Sequence, residues 1–281
     1  MSTFPPRVLL PLLLFARATL ASAPAVPPAL PTDEACRPLP TPVSPFSFFQ
    51  GELLEFDIDA LGAVAGQMRM RTLSTRKGEV PVEITVQTNT FFSKVRRVKG
   101  LAQSFLHRQT LRPARYLEKT VENEVPKSAQ VVFLPDKSVQ LKYTVAQKSG
   151  ERTLRYANEG LDVAGAIYLM RQLPLEENLP LCFDAYAIRR MWRVVGRVLG
   201  KEKVSLPLGE FDAWHIAGEA VRLDELTSRR EVHVWISADG RRLPLAAVGM
   251  IDLGAVRATL KAVHRPGDKS WRAQGKETLK W

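Results

Sequence analysis

The residues of this chain that could do chemistry are few and scattered. Its four histidines are His107, His215, His233 and His264, and no H-E-x-x-H or other metal-ligand spacing joins any two of them. His215 and His233 fall on neighbouring expected strands and could approach one another. A hairpin turning near Leu226, however, sets His215 near Ile236 rather than beside His233. Surface or groove histidines are therefore expected, with no metal and no cofactor. No G-x-S-x-G nucleophile elbow and no glycine-rich phosphate loop occurs. The acidic pairs Glu122 and Glu124, and Asp57 and Asp59, stand at i,i+2, which on a strand puts both carboxylates on one solvated face. No general acid or base emerges, and the chain is expected not to be an enzyme.

Two clusters combine cations with other binding chemistry. Arg189, Arg190, Met191, Trp192, Arg193 and Arg197 interleave guanidinium groups with an indole. They fit either an anionic headgroup or polymer, or a strand edge kept soluble by arginine, and the second reading is preferred. Lys94, Arg96, Arg97 and Lys99 carry the same two readings. Trp214 shares a face with Ile216 and belongs to the core. Trp235 shares the polar face of Glu231 and His233, where a large aromatic marks a groove, a partner surface or packing on a neighbouring strand.

The start of the chain reads as an export signal over residues 1–21. Arg7 is the positive n-region, residues 8–15 are the apolar h-region, and Ala18, Thr19, Ala21, Ser22 and Ala23 supply small residues for cleavage after Ala21. The apolar run is far short of the roughly 20 residues that span a bilayer, so no transmembrane segment remains after cleavage. A periplasmic location follows, and nucleic acid is not an expected partner. The formal charge of +11 becomes about +9 once Arg7 and Arg17 are removed. Such a surface is soluble and attracts anionic lipids or polymers. In an oxidising compartment the two cysteines, Cys36 and Cys182, are candidates for a structural disulfide. Closing so long a loop contributes at most about 5 kcal/mol on the chain-entropy account.

Residues 22–45 form a proline-rich linker, with Cys36 in its middle as the only means of fixing it. A single β domain is expected over 46–265, followed by a basic tail over 266–281. Within the domain, period-two alternation recurs. Leu54, Phe56 and Ile58 alternate with Glu55, Asp57 and Asp59. Val82, Ile84 and Val86 alternate with Glu83, Thr85 and Gln87. Val139, Leu141, Tyr143 and Val145 alternate with Gln140, Lys142 and Thr144. One apolar and one polar face is the pattern of half-buried antiparallel strands. Leu61-Gly62, Pro135-Asp136-Lys137 and Ala238-Asp239-Gly240 supply turns, the last with the Asp-Gly signature of a tight hairpin. The fold class is all-β, mainly antiparallel, with about a dozen strands in a curved sheet or barrel. The one exception is a short helix near 162–172, capped by Asp162 and ended before Pro174, with Val163, Ala166, Ile167 and Met170 on one face.

Several motifs in order also resemble a known group. They are Phe49-Gln50-Gly51-Glu52-Leu53-Leu54-Glu55-Phe56, then Gly62 and Gly66, then the stretch from Asp162 through Arg171 to Leu175. Val204-Ser205-Leu206-Pro207-Leu208-Gly209-Glu210-Phe211 follows, and then Trp235-Ile236-Ser237-Ala238-Asp239-Gly240-Arg241-Arg242-Leu243-Pro244. From about Phe48 to His264 the chain resembles the bacterial exported-protein family called domain of unknown function 3108. The resemblance implies a periplasmic, curved or barrel-like β fold, no established activity and no catalytic residues. Arg171 in the helix motif is expected to pair with a carboxylate. The reading that follows is a non-enzymatic periplasmic β domain binding an amphiphilic or anionic envelope component, a lipid or a polymer. The alternative is a structural or assembly partner of the cell envelope.

Overall fold

The computed structural model describes residues 36–43, 50–251 and 254–267. The expected signal over 1–21, linker residues 22–35 and 44–45, the expected domain start near Phe46 and tail residues 268–281 lie outside the described residues.

Alternating sequences become strands, and the strands form one sheet. The first meander comprises β1 (Leu53–Ala60), β2 (Ala63–Thr72), β3 (Glu79–Thr88), β4 (Val98–His107), β5 (Pro113–Glu122), β6 (Val125–Leu134), β7 (Ser138–Val145) and β8 (Lys148–Arg155). Three-residue β9 (Gly160–Asp162) leads into helix α1 (Val163–Met170). The second meander comprises β10 (Pro180–Ala187), β11 (Arg190–Leu206), β12 (Gly209–Arg222), β13 (Glu225–Ser237), β14 (Pro244–Ile251) and β15 (Gly254–His264). The meanders join where β1 pairs with β15, so the first and last strands lie mid-sheet and the order runs from β8 at one edge to β9 at the other. Every pairing is antiparallel except β9 with β10.

The sheet has fifteen strands among the described residues, against about a dozen expected. The surplus comes from elements with little apolar periodicity, such as β8, whose sequence KSGERTLR is polar on both faces. The sheet is curved but not closed. Bulges between Glu55 and Phe56, Val198 and Gly200, and Val221 and Arg222 bend its strands. Gly196 and Gly218 face each other in the β11–β12 ladder, and a Cβ on either would lie 2.4 Å from Ala217 O or 2.7 Å from Val195 O. Only glycine admits so close an approach of the two backbones. The turns at Leu61-Gly62 and Pro135-Asp136-Lys137 fall where the sequence sets them. The third turn is wider than a tight hairpin, spanning residues 238–243. There Asp239 accepts from Ser237 Oγ at 2.9 Å and Arg241 N at 3.0 Å, so a side chain closes the loop in place of a two-residue turn.

Apolar side chains fill the concave side. One cluster gathers Leu161, Leu169, Leu173, Phe183, Val198, Ile216, Val234 and Ile236 from the second meander and the helix. A second gathers Leu54, Phe56, Met70, Val82, Leu106 and Leu260 around the β1–β15 join. A third sets Val131, Val139 and Leu141 against Tyr186 and Met191. Each such side chain contributes about 1.5–3 kcal/mol on burial. An eight-residue helix is too short to persist alone, and packing holds α1 in place. It gives Ala166, Leu169 and Met170 to the first cluster and Ala164 and Tyr168 to the second. Its buried surface is wider than the expected stripe, and Val163, expected within that stripe, is 46% exposed at the first turn.

Polar anchors hold both ends of α1. Asp162 is fully buried, caps the helix by accepting from Gly165 N at 2.7 Å, and accepts from Ser104 Oγ of β4 at 2.5 Å. At the other end Arg171 leaves the helix and donates through Nη1 and Nη2 to the two carboxylate oxygens of Glu52, at 2.8 and 3.2 Å. Its Nε donates to Arg242 O at 2.8 Å, and Arg265 Nη2 reaches the same carboxylate at 2.9 Å. The Arg171 and Glu52 side chains are both 0% exposed. Cys36 is joined to Cys182 of β10 with Cα atoms 5.2 Å apart. Beyond it, Leu39 packs on the first cluster and Val43 N donates to Gln172 O at 2.7 Å. The stretch 36–43 is therefore docked on the domain, not a free spacer.

Burial raises the Asp162 carboxyl from 3.8 to about 6, against the pull of Ser104 and the helix amides. The folded chain thus holds a proton that the unfolded chain releases between those values. The Asp162 contribution to stability therefore falls as pH rises through that window and is level above it. Relative to Asp162→Asn, the unsubstituted protein is expected to lose roughly 2–3 kcal/mol between pH 4 and pH 7. Urea denaturation of both at several pH values checks this, and a pH-independent difference would contradict it.

Candidate functional site

The densest concentration of titratable and aromatic groups on the sheet's outer face is built by three long strands. In the β12–β13 ladder His215 lies opposite Trp235, and His233 lies opposite Ala217. All these side chains point to the face away from Ile216, Val234 and Ile236. Ala217 offers only a methyl group, which leaves room for the diagonal contact between the two imidazoles. His215 Nε2 and His233 Nδ1 are 2.9 Å apart. The Trp235 ring stacks on His215 with centroids 4.5 Å apart and planes 19° apart.

A carboxylate stands behind each histidine. Glu231 Oε1 lies 2.9 Å from His233 Nε2. Glu202 Oε1 of β11 lies 3.5 Å from His215 Nδ1 and also accepts from the Trp235 indole N–H. The imidazoles are mostly covered, at 15% and 16% side-chain exposure, while Glu202 and Glu231 are about half exposed. Burial lowers the His215 pKa from 6.5; Glu202 opposes the shift and His233 adds to it. His215 is accordingly neutral near pH 7. Among the described residues no group of three or more His, Cys, Asp or Glu side chains is arranged to hold a metal ion.

The expected separation of His215 from His233 is thus corrected. The hairpin tip is Leu223 and Asp224, and the bulge after Val221 shifts the ladder. His215 meets Trp235 in place of Ile236, one residue from the expected partner. A slip of one residue exchanges the faces of a strand, so this small difference decides which side chains share the site.

The other sequence candidates are mostly engaged in ion pairs. Arg189 and Ile188, both at positive φ, form the β10–β11 hairpin tip. Arg190 pairs with Asp224 at 3.0 Å and Arg193 with buried Asp184 at 3.0 Å. The Trp192 indole donates to Ala187 O at 3.3 Å. Trp214 packs on the first core cluster. Arg96 Nε donates to Glu122 at 2.7 Å, and Lys127 binds the same carboxylate. Those two cations hold Glu122 below the usual range. Asp57 pairs with Lys261 at 3.2 Å, and His264 lies 3.9 Å from Glu55. Sequence reasoning missed the Glu118 carboxyl, which accepts from the Tyr116 hydroxyl at 3.0 Å and is raised by burial. Its signal was faint, because Tyr116 and Glu118 lie at i,i+2 on a strand with little apolar alternation.

A single open, coiled antiparallel sheet with a helix packed on its concave side defines a barrel-like β protein. Residues 55–261 match the family described as protein of unknown function, DUF3108, and the chain belongs to that family. No curated protein matches the chain. Among solved structures it is similar to a β-barrel-like protein of domain of unknown function DUF1849 from Brucella abortus. The identity is 9%, the match covers 76% of this chain and 98% of that one, and the TM-score is 0.52. That likeness bears on the fold alone. More distant are a Bacteroides fragilis protein described as exported, with a YmcC-like fold (7% identity, 82% and 100% covered, TM-score 0.30), and a Parabacteroides distasonis protein described as a lipoprotein (8%, 82% and 100%, 0.32). No helix among the described residues is long and apolar enough to cross a membrane.

The stacked His215 and Trp235 rings predict a pH-dependent emission. Protonated imidazole withdraws electron density from an excited indole, so Trp235 fluorescence should fall with acidification, with a midpoint below 6.5. A fluorescence titration of the protein and of His215→Gln checks this. An identical profile for the two would contradict the stacking.

Proposed function

We propose that the chain is an exported, periplasmic, non-enzymatic β domain that holds a polar, anionic polymer of the cell envelope. Export is supported by the signal-like residues 1–21 and by the joined Cys36 and Cys182, since such a bond persists in an oxidising compartment. The observation that carries the ligand class is a depression of about 410 Å3 on the outer face of β6, β7 and β8. Ser128, Gln130, Thr144 and Ser149 line it with hydroxyl and amide groups beside Tyr143 and Gly150, and Lys142 and Glu151, paired at 3.1 Å, flank it. Such a surface suits hydrogen bonding to a hydroxyl-rich chain. The opposite, concave face of the same strands is filled by Val131, Val139 and Leu141, which favours a polymer over a buried acyl chain. The formal charge of +11, about +9 without Arg7 and Arg17 of the signal, attracts an anionic polymer at long range.

A second reading, an assembly partner of the envelope, is supported by β8. It ends the sheet order, and its residues Lys148, Arg152 and Arg155 are exposed. An extended acidic segment could add to that edge.

Native mass spectrometry of the protein recovered from periplasm without detergent tests the proposal. A glycan adduct released on denaturation and lost in Gln130→Ala/Lys142→Glu is the expected result. A bare polypeptide mass would contradict the polymer reading, and a retained protein would favour the second.

A further inference from the structure

The two imidazoles of the outer face lie between two carboxylates. Each has one nitrogen turned to its own carboxylate and the other turned to its neighbour. With His233 donating its Nε2–H to Glu231, its Nδ1 accepts the Nε2–H of His215 at 2.9 Å, an ordinary hydrogen bond between neutral rings. A metal ion that displaces this one proton would find both nitrogens already turned inward, and Glu202, 3.5 Å from His215 Nδ1, stands where the other tautomer would place its N–H.

We propose that His215 Nε2 and His233 Nδ1 form a binding site for one divalent transition-metal ion of the borderline class, Cu2+, Ni2+ or Zn2+, with solvent completing the coordination. Imidazole is the ligand this class of ion prefers. Nitrogens bound at about 2.0–2.1 Å and set at a right angle, as in the tetragonal sites of Cu2+ and Ni2+, are about 2.9 Å apart, so the pair needs little movement to bind these ions, whereas tetrahedral Zn2+ needs about 3.3 Å. The carboxylates behind the rings supply the second half of the arrangement. A metal-bound histidine commonly donates its far N–H to a carboxylate, which fixes the tautomer and raises ligand basicity. Glu202 and Glu231 also offset the charge of the ion, whereas Arg197, on the same face beyond Ala217, opposes it. The rings lie on two hydrogen-bonded strands, so the spacing is held by the ladder and not by a loop. This inference stands apart from the polymer proposal, which concerns the outer face of β6–β8.

The test is titration of the purified full-length protein, stripped with EDTA, with Cu2+, Ni2+ and Zn2+ at pH 7.5. Calorimetry should show one ion per chain. Cu2+ should give an electron paramagnetic resonance spectrum coupled to two nitrogens and should quench Trp235. His215→Gln and His233→Gln should each weaken binding at least tenfold. Glu231→Gln should weaken it about tenfold, as expected for loss of a carboxylate behind a ligand. His107→Gln and His264→Gln should leave it unchanged. Circular dichroism melts confirm that the variants fold, and the Cu2+ spectrum of the unsubstituted protein stands if one does not. No saturable binding, a spectrum lacking two-nitrogen coupling, or binding unaltered by His215→Gln and His233→Gln would overturn the proposal and leave the hydrogen bond between the two rings as the whole of the contact.

Discussion

The buried ion pair between Glu52 and Arg171 is the interaction on which the architecture turns. Moving both charges out of water costs several kcal/mol per ion, and good geometry alone offsets that cost. Here the guanidinium meets both carboxylate oxygens, its Nε meets the Arg242 carbonyl, and Arg265 completes the Glu52 side. Four segments distant in sequence converge on this cluster: the lead into β1, the end of α1, the β13–β14 loop and the residues after β15. The two meanders meet at the same place, through the β1–β15 ladder. Hydrophobic clusters on either side would pack in many arrangements; a bidentate buried pair admits few. Asp162 does the equivalent at the other end of α1, linking the helix to Ser104 of β4.

Much of this fold is legible in the residues. Leu54, Phe56 and Ile58 alternating with acidic residues specify β1, and Asp162 before an apolar run specifies the helix start. Arg171 is recognisable as a cation needing a carboxylate, but nothing local names Glu52, which lies 119 residues away. Strands such as β8 escape notice because an edge needs no apolar face. The outer-face site was hidden for a sharper reason. Period-two alternation gives the face of each strand but not its pairing, and a hairpin tip at Leu223 and Asp224 with a three-residue shift after Val221 sets His215 against Trp235, where the unshifted ladder would set it against Val232. Bulges have no reliable signature in one sequence.

The chemistry of the molecule divides accordingly. Charges inside the sheet, at Glu52, Arg171, Asp162 and Asp184, are matched to partners and specify packing. In the two basic clusters Arg96 and Arg190 are engaged in ion pairs on the surface, where each pair contributes little to stability, and Arg193 pairs with buried Asp184. What remains for recognition lies on the outer faces: the polar depression of β6–β8, and the His215, His233 and Trp235 array with its two carboxylates. Both sit on regular strands, whose geometry the curved sheet holds fixed.

The central claim is that Glu52 and Arg171 act as one unit that fixes the join of the two meanders. A double-mutant cycle of Glu52→Gln and Arg171→Met, read by urea denaturation, tests it most directly. Each single change should cost about 3–5 kcal/mol, because it strands a buried charge. The double variant should lose clearly less than the sum, with a coupling on the order of 2–3 kcal/mol. Single losses below about 1 kcal/mol that simply add would contradict the account.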